Sequence, residues 1–325
     1  MNSVNMSMDR SPEGKEMIRC PICRNFGYKN VFSDYNRRDQ IVYKGTYVQC
    51  LACSLVYLLD PPSWETLVHL YSSLDDAFSA NSGRSNPQKL IEKVLLPVPL
   101  WRKYLKKIGF RSHSWPLDVV PKLSKRILDV GCGDGERLLE FSRRGYDVWG
   151  VDVGVQSIEL CRKILPDGHF FQGELPKIRL VPDSFDYIRI DNALEHMPNP
   201  GEVVREAFRL LRPGGRIMIY VPNGRSFTMR VLKGGSISSW MPFHLQLFTR
   251  KSLKKLLEDC GFKKIKIYGY NPPTWIPMSM VQIFYNMENP DLTRYPKWIA
   301  KVLLPVGWLL VFLGLPEELM ATGEK

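Results

Sequence analysis

Histidine is scarce in this 325-residue chain, five in all, and acid is outnumbered, with 33 Asp and Glu against 45 Lys and Arg for a formal charge of +12. The scarcity leaves few side chains that titrate near neutral pH. The charge suits nucleic acid, an anionic membrane surface or a phosphate-bearing substrate, and does not choose among them. Neither an internal repeat nor a low-complexity tract is present, and 44% apolar content is that of a folded chain. Residues 1–15 lack the apolar core of a secretion signal. Long apolar runs are missing except for Trp298 to Leu315, whose 18 residues reach only the lower limit for a membrane span and are interrupted by Pro305 and Gly307. A strand-like run, Leu319 to Lys325, follows it. The apolar segment is therefore expected to be an interfacial or core-covering helical insertion, with peripheral membrane contact through 298–315.

Seven cysteines divide into four paired and three single residues. Cys20-Pro-Ile-Cys23 and Cys50-Leu-Ala-Cys53 form two C-x-x-C knuckles separated by 26 residues, the spacing of a tetrahedral zinc–thiolate site in a zinc ribbon. The thioredoxin-like context that a redox C-x-x-C needs is lacking. With four thiolates bound, such a zinc has no open coordination position, so its expected role is structural. Thiolates of this kind, with Cys132, Cys161 and Cys260 as ordinary thiols, point to a cytoplasmic setting that includes the cytoplasmic face of a membrane.

The most informative run is Ile127-Leu128-Asp129-Val130-Gly131-Cys132-Gly133-Asp134-Gly135. An apolar strand enters three alternate glycines, which allow a tight turn and a close approach of ligand to backbone N–H groups. A dinucleotide site would want glycine at 136, where Glu136 stands; G-x-G-x-G after Asp129 fits S-adenosylmethionine instead. About twenty residues on, a second strand ends in Asp152, a carboxylate placed to accept from both ribose hydroxyls.

The organisation is read as a zinc ribbon over 1–60, a helical connector or lid over 61–124, and a catalytic domain over 125–325 with a hydrophobic insertion at about 271–315. The connector opens with a helix from about Trp64 to Ser72, and its stretch from Arg84 to Arg111 is strongly basic. From Lys125, strands are expected at 126–130, 147–152, 169–172, 185–190, 216–221, 264–269 and 318–324. Helices are expected at 135–144, 155–164, 201–211 and 249–260, and the glycines of Leu211-Arg212-Pro213-Gly214-Gly215 are expected to cap the third helix. This alternation implies an α/β, doubly wound, seven-stranded sheet with ligand at the carboxyl ends of its parallel strands.

In order along the chain, the first strand's ILDVGCGDG, Asn192-Ala193-Leu194-Glu195-His196-Met197-Pro198, LRPGG and His244-Leu245-Gln246-Leu247-Phe248 resemble the class I S-adenosylmethionine-dependent methyltransferases with an N-terminal zinc ribbon. The resemblance implies that Asp129, Gly131, Gly133 and Gly135 line the methionine end and that Asp152 takes the ribose. It implies further that Gly173 and Glu174 lie by the adenine, and Asp191 and Asn192 beside the sulfonium and amino group. Many relatives carry Asp where this chain has Glu174. A hydroxyl acceptor must lose a proton during transfer, and histidine suits that task; His244 and then His196 are the expected bases, both at the ligand-bearing edge. Glu195, His196 and His244 are the alternative ligands of a divalent metal, as in relatives with Glu-x-x-Glu-His, although Asn192 replaces the first acid.

The layout resembles enzymes of sugar and surface-glycan pathways, so the expected acceptor is a sugar, glycan or lipid-linked glycan. RNA is the alternative acceptor, disfavoured because Asn271-Pro272-Pro273-Thr274 follows the sixth strand and no Pro-Cys nucleophile is present. A non-catalytic S-adenosylmethionine-binding protein is the third reading.

Overall fold

The computed structural model describes residues 18–35, 43–70, 125–272, 274–284 and 297–325. The basic stretch from Arg84 to Arg111 and most of the expected connector lie outside the described residues. A helix over 64–70 (α1) agrees with the predicted start of that connector.

Two sheets organise the chain. The larger contains β4 (Arg126–Val130), β5 (Asp147–Asp152), β6 (His169–Gln172), β7 (Phe185–Asp191), β8 (Leu211–Pro222), β10 (Lys263–Tyr270) and β11 (Glu318–Glu324). Its order is β10-β11-β8-β7-β4-β5-β6. Strands β6, β5, β4, β7 and β8 run parallel, while β11 is antiparallel to both β8 and β10. After β6 the chain returns to the other side of β4, so a crevice opens between the carboxyl ends of β4 and β7, where doubly wound sheets hold their ligands. Because β11 is reversed, its first residue, Glu318, pairs with Pro222 at that same edge.

The central strands are apolar on both faces because helices cover both sides. Ile127, Leu128, Ile188, Ile190, Ile217 and Ile219 are each wholly buried. The flanking helices are α2 (Glu136–Ser142), α3 (Val155–Ile164), α4 (Pro200–Leu210) and α6 (Arg250–Asp259), with a short α5 (Phe227–Val231) after β8. Thr249 and Ser252 form a reciprocal capping box at the start of α6. One local expectation fails. Leu211, in extended conformation, ends α4, and Gly214 and Gly215 fall within the long strand β8 rather than capping the helix.

The smaller sheet has the order β1-β2-β3-β9, from β1 (Tyr28–Tyr35), β2 (Lys44–Cys50), β3 (Val56–Leu58) and β9 (Gln246–Leu247). Its fourth strand comes from the catalytic part of the chain, with Val56 opposite Leu247 and Tyr57 opposite Gln246. The cores merge too. Val48, Leu55 and Tyr57 pack in one cluster with Leu194, Phe248 and Leu253.

The apolar insertion forms two helices, α7 (Trp275–Phe284) and α8 (Lys297–Phe312). Asn271 Nδ2 donates to the Gly307 carbonyl at 2.7 Å, fixing α8 against the end of β10. Leu310 is buried, whereas Trp298, Val302, Leu309, Phe312 and Leu313 face outward. Among the described residues, no helix is long and apolar enough to cross a membrane.

Candidate active site

The glycine loop leaves β4 and enters α2 with Gly131, Gly133 and Gly135 all in the left-handed region, at φ 74°, 50° and 72°. A Cβ on Gly131 would lie 2.5 Å from Ala193 Cβ, and one on Gly135 would lie 2.7 Å from Cys161 Sγ. A Cβ on Gly133 would meet nothing within 4 Å. Two glycines thus allow the loop to pack, and the middle one leaves backbone open where a ligand approaches. The Gly131 and Cys132 amides donate to the Val151 carbonyl at 2.7 and 3.2 Å, tying the loop to β5.

Asp152 ends β5 with both carboxylate oxygens engaged. Oδ2 accepts from the Gly133 amide at 2.9 Å and Oδ1 from the Gly154 amide at 2.8 Å. Each oxygen keeps a second acceptor direction, as recognition of two ribose hydroxyls requires. Gly173, at φ 135°, donates its amide to the Asp152 carbonyl at 2.8 Å. Glu174 is turned elsewhere: its Oε1 accepts from Trp64 Nε1 at 3.1 Å and pairs with Lys177. Its carboxylate therefore ties the strand end to α1.

Sequence reasoning missed Arg189. This guanidinium, 4% exposed in the middle of β7, donates to Asp129 Oδ2 at 2.7 Å and to Asp191 Oδ2. Asp129 is buried as well, and its Oδ1 accepts no hydrogen bond among the described residues. Burial raises the Asp129 carboxyl to about 6 against the opposing pull of Arg189. Asn192 follows at φ 48° and donates Nδ2 to Asp191 Oδ1 at 2.8 Å. A non-glycine residue in that conformation is strained, and such strain concentrates at functional sites. An orphaned acid oxygen, an open glycine backbone and a doubly anchored strand-end Asp fit the methionine ammonium, the close approach and the ribose of S-adenosylmethionine.

Beside this crevice His196 and His244 come together, their ring centroids 4.7 Å apart, with Trp240 edge-on to both. His196 Nδ1 lies 3.0 Å from the Phe243 carbonyl and His244 Nδ1 lies 2.7 Å from the Ser238 carbonyl. Since a carbonyl only accepts, each Nδ1 carries the proton when the ring is neutral, and each Nε2 keeps its lone pair. Burial pushes His196 down to about 4. Glu195 is 1% exposed, neither of its oxygens accepts a hydrogen bond among the described residues, Oε1 lies 3.9 Å from His196 Nε2, and burial pushes its carboxyl well up. One ligand atom from each of Glu195, His196 and His244 lies within 4.8 Å of the others, a donor set suited to a divalent cation.

Two further buried acids were unforeseen. Glu318 sits at the ligand-bearing edge with Oε2 unpartnered among the described residues, and burial beside Asp191 and Glu195 raises its carboxyl well above the usual range. Glu317 accepts from the Thr228 amide at 3.0 Å and serves the packing of α5. The signal for Glu318 was an acid opening an apolar strand, and Glu317, one residue before that strand, carried none.

In the smaller sheet Cys20, Cys23, Cys50 and Cys53 bring one sulfur each within 4.8 Å of one another. Cys20 to Cys53 and Cys23 to Cys50 are both 3.5 Å. Thiolates about 2.3 Å from a tetrahedral zinc stand roughly 3.8 Å apart. The two knuckles turn alike: Arg24 and Ser54, at φ 59° and 65°, donate their amides to the Cys20 and Cys50 carbonyls, each at 3.0 Å.

Comparison with known proteins agrees with this geometry. A family model described as "Methyltransferase domain" matches residues 100–267, just over half of the chain. The ubiquinone biosynthesis O-methyltransferase of Psychrobacter arcticus is 30% identical over 187 residues, covering 50% of this chain and 70% of that protein. The protein of the same name from Idiomarina loihiensis is 29% identical over 161 residues, covering 46% and 66%. The chain spans 62% of another, from Aeromonas salmonicida. A solved SAM-dependent methyltransferase from Archaeoglobus fulgidus aligns over 74% of this chain and 100% of its own, with 19% identity and a TM-score of 0.46. The crevice, the glycine loop and the family match lead to one conclusion: the chain belongs to the methyltransferase-domain family and is a class I S-adenosylmethionine-dependent methyltransferase.

Proposed function

We propose that the enzyme methylates a hydroxyl oxygen, with His244 or His196 taking the proton. The observation that carries this is the histidine pair beside the crevice, ring centroids 4.7 Å apart, each ring oriented by a backbone carbonyl at Nδ1 so that Nε2 is the basic nitrogen of the neutral ring. A base of this kind is what a hydroxyl needs and an already basic amine does not. Asp129, Gly131, Gly133 and Gly135 hold the methionine end of the donor, Asp152 the ribose, Gly173 the adenine side, and Asp191 with Asn192 the sulfonium side. The relatives' names favour a phenolic, ubiquinone-type acceptor, while the ribbon-first layout favours a sugar or lipid-linked glycan. Both acceptor classes offer neighbouring hydroxyls. RNA is disfavoured. A second reading is favoured by the grouping of Glu195, His196 and His244: a divalent cation there lowers the acceptor hydroxyl's pKa as a Lewis acid. Cys20, Cys23, Cys50 and Cys53 hold a structural zinc, and the outward apolar side chains of α8 touch the cytoplasmic face of a membrane.

Transfer of labelled methyl from S-adenosylmethionine to a prenylated dihydroxybenzoate and to a nucleotide sugar tests this reading. Product on either, lost in His244→Ala while donor binding stays, supports it. Unchanged turnover in both His244→Ala and His196→Ala overturns it, and a loss in wild-type protein on treatment with EDTA while the cysteine-bound zinc is retained favours the cation.

A further inference from the structure

A buried arginine in the central strand of a sheet needs a reason. Removing a guanidinium from water costs several kcal/mol unless it is fully paired. Apolar residues fill the neighbouring positions, with Ile188 and Ile190 on either side of Arg189. Its strand partners are Asp129 on β4 and Met218 on β8. The side chain pairs with one oxygen from each of two acids, Asp129 on β4 and Asp191 at the end of its own strand β7.

We propose that Arg189 is a positioning residue for the methyl donor: by bridging Asp129 and Asp191 it holds both carboxylates in place at the carboxyl ends of β4 and β7 and leaves Asp129 Oδ1 for the donor's ammonium. The inference rests on the reading of this crevice as the donor site. The charge count supports it. Two carboxylates and one guanidinium carry a net −1. The methionine end of S-adenosylmethionine, with ammonium, carboxylate and sulfonium, carries +1, and once the methyl group leaves, the thioether product carries 0 there. The triad therefore complements the donor and releases part of its hold when transfer is complete.

The surroundings of Asp129 fix the direction of its pH response. Burial is the largest influence and favours the neutral acid, Arg189 opposes it, and Asp191 on β7 and Asp152 on β5 add to it. Cys132 in the loop and Tyr187 on β7 also feel the Asp129 charge, and Tyr220 on β8 faces Arg189. Among the described residues, Arg189 is the cation that pairs directly with this carboxyl, at 2.7 Å. An adjacent arginine depresses a carboxyl by about 1–3 units, so its loss raises the pH below which Asp129 is neutral.

Calorimetric titration of wild type, Arg189→Met, Arg189→Lys and Asp152→Ala with S-adenosylmethionine and S-adenosylhomocysteine between pH 5 and 7.5 tests the proposal. Wild-type affinity for the donor should fall about tenfold per unit below pH ~6. In Arg189→Met that fall should begin at least about one unit higher, and the donor should lose more affinity than the product. Arg189→Lys should lie between, because one ammonium cannot fork to both carboxylates. Wild-type affinity with an unshifted pH midpoint in Arg189→Met overturns the proposal. If that variant does not fold, the same result in Arg189→Lys overturns it. Should Asp152→Ala bind the donor as tightly as wild type, the reading of the crevice is at fault. A weakened Asp152→Ala beside an unchanged Arg189 variant refutes the role of Arg189 alone.

Discussion

The phenol of Tyr47, on strand β2 of the smaller sheet, donates to the backbone carbonyl of His244 at 2.6 Å. Two regions separated by 197 positions thus meet at a candidate base. Tyr47 is wholly buried, and its hydroxyl gives the smaller sheet a direct hold on the segment that carries His244. Tyr47→Phe leaves that carbonyl short of a donor, which costs about 1–3 kcal/mol. Thermal unfolding should report the loss, and turnover should fall while donor affinity stays, since the glycine loop lies on other strands.

Zinc removal should act by the same route. The purified protein should carry one zinc per chain, and Cys50→Ser should lose it. Metal analysis, donor titration and methyl transfer on one preparation should show lost metal and activity with donor binding retained. A Cys50→Ser protein that keeps full turnover would sink the idea that the ribbon supports His244.

Gly133→Ala and Gly135→Ala should fail differently. The left-handed conformation charges either alanine about 1–2 kcal/mol. At Gly135 the new methyl also meets Cys161 Sγ at 2.7 Å, so the fold is destabilised further. At Gly133 nothing lies within 4 Å, so the protein should fold and lose donor affinity instead. Melting temperature and donor titration separate the two outcomes.

His196 gives a pH prediction of defined sign. Its folded-state value is lowered to about 4 by burial, below the ordinary 6.5 of the unfolded chain. Between those values the unfolded chain binds a proton that the folded one refuses, so stability is lost as pH falls from about 6.5 toward 4. Denaturant midpoints across that window should decline, and His196→Gln should flatten the decline.

The outward face of α8 should be dispensable for stability. Trp298 is 62% exposed and Phe312 87%. Changing both to Glu should leave the melting temperature near wild type and abolish co-sedimentation with anionic vesicles in high salt. Sedimentation unaffected by the change would remove α8 from membrane contact.

The periodic apolar signals carried most of the larger sheet. Strands 126–130, 147–152, 169–172 and 318–324 form where their buried faces require them. The glycine loop was legible because its spacing is itself the chemistry. Arg189 and Glu318 were not, since a charged residue in a strand pattern reads as a solvent-facing position until its neighbours in the fold are known, and Glu317, just before β11, meets its partner Thr228 only through the packing of α5. The pairing of β3 with β9 was hidden for a related reason: two residues carry no period, and nothing in Gln246-Leu247 names its partner. The fate of LRPGG was misread because glycine after a helix normally signals a cap, whereas β8 begins at Leu211.

That borrowed strand has a consequence for biosynthesis. Strands β1 to β3 leave the ribosome early, but the neighbour that completes their sheet is about 190 residues away in sequence. Until Gln246 and Leu247 emerge, the outer edge of β3 keeps its unpaired amides and carbonyls, the kind of edge through which nascent chains stick to one another. Early capture of metal by the knuckles would hold the young module rigid through that interval, and metal-starved expression should send the protein to aggregates before its catalytic half is made.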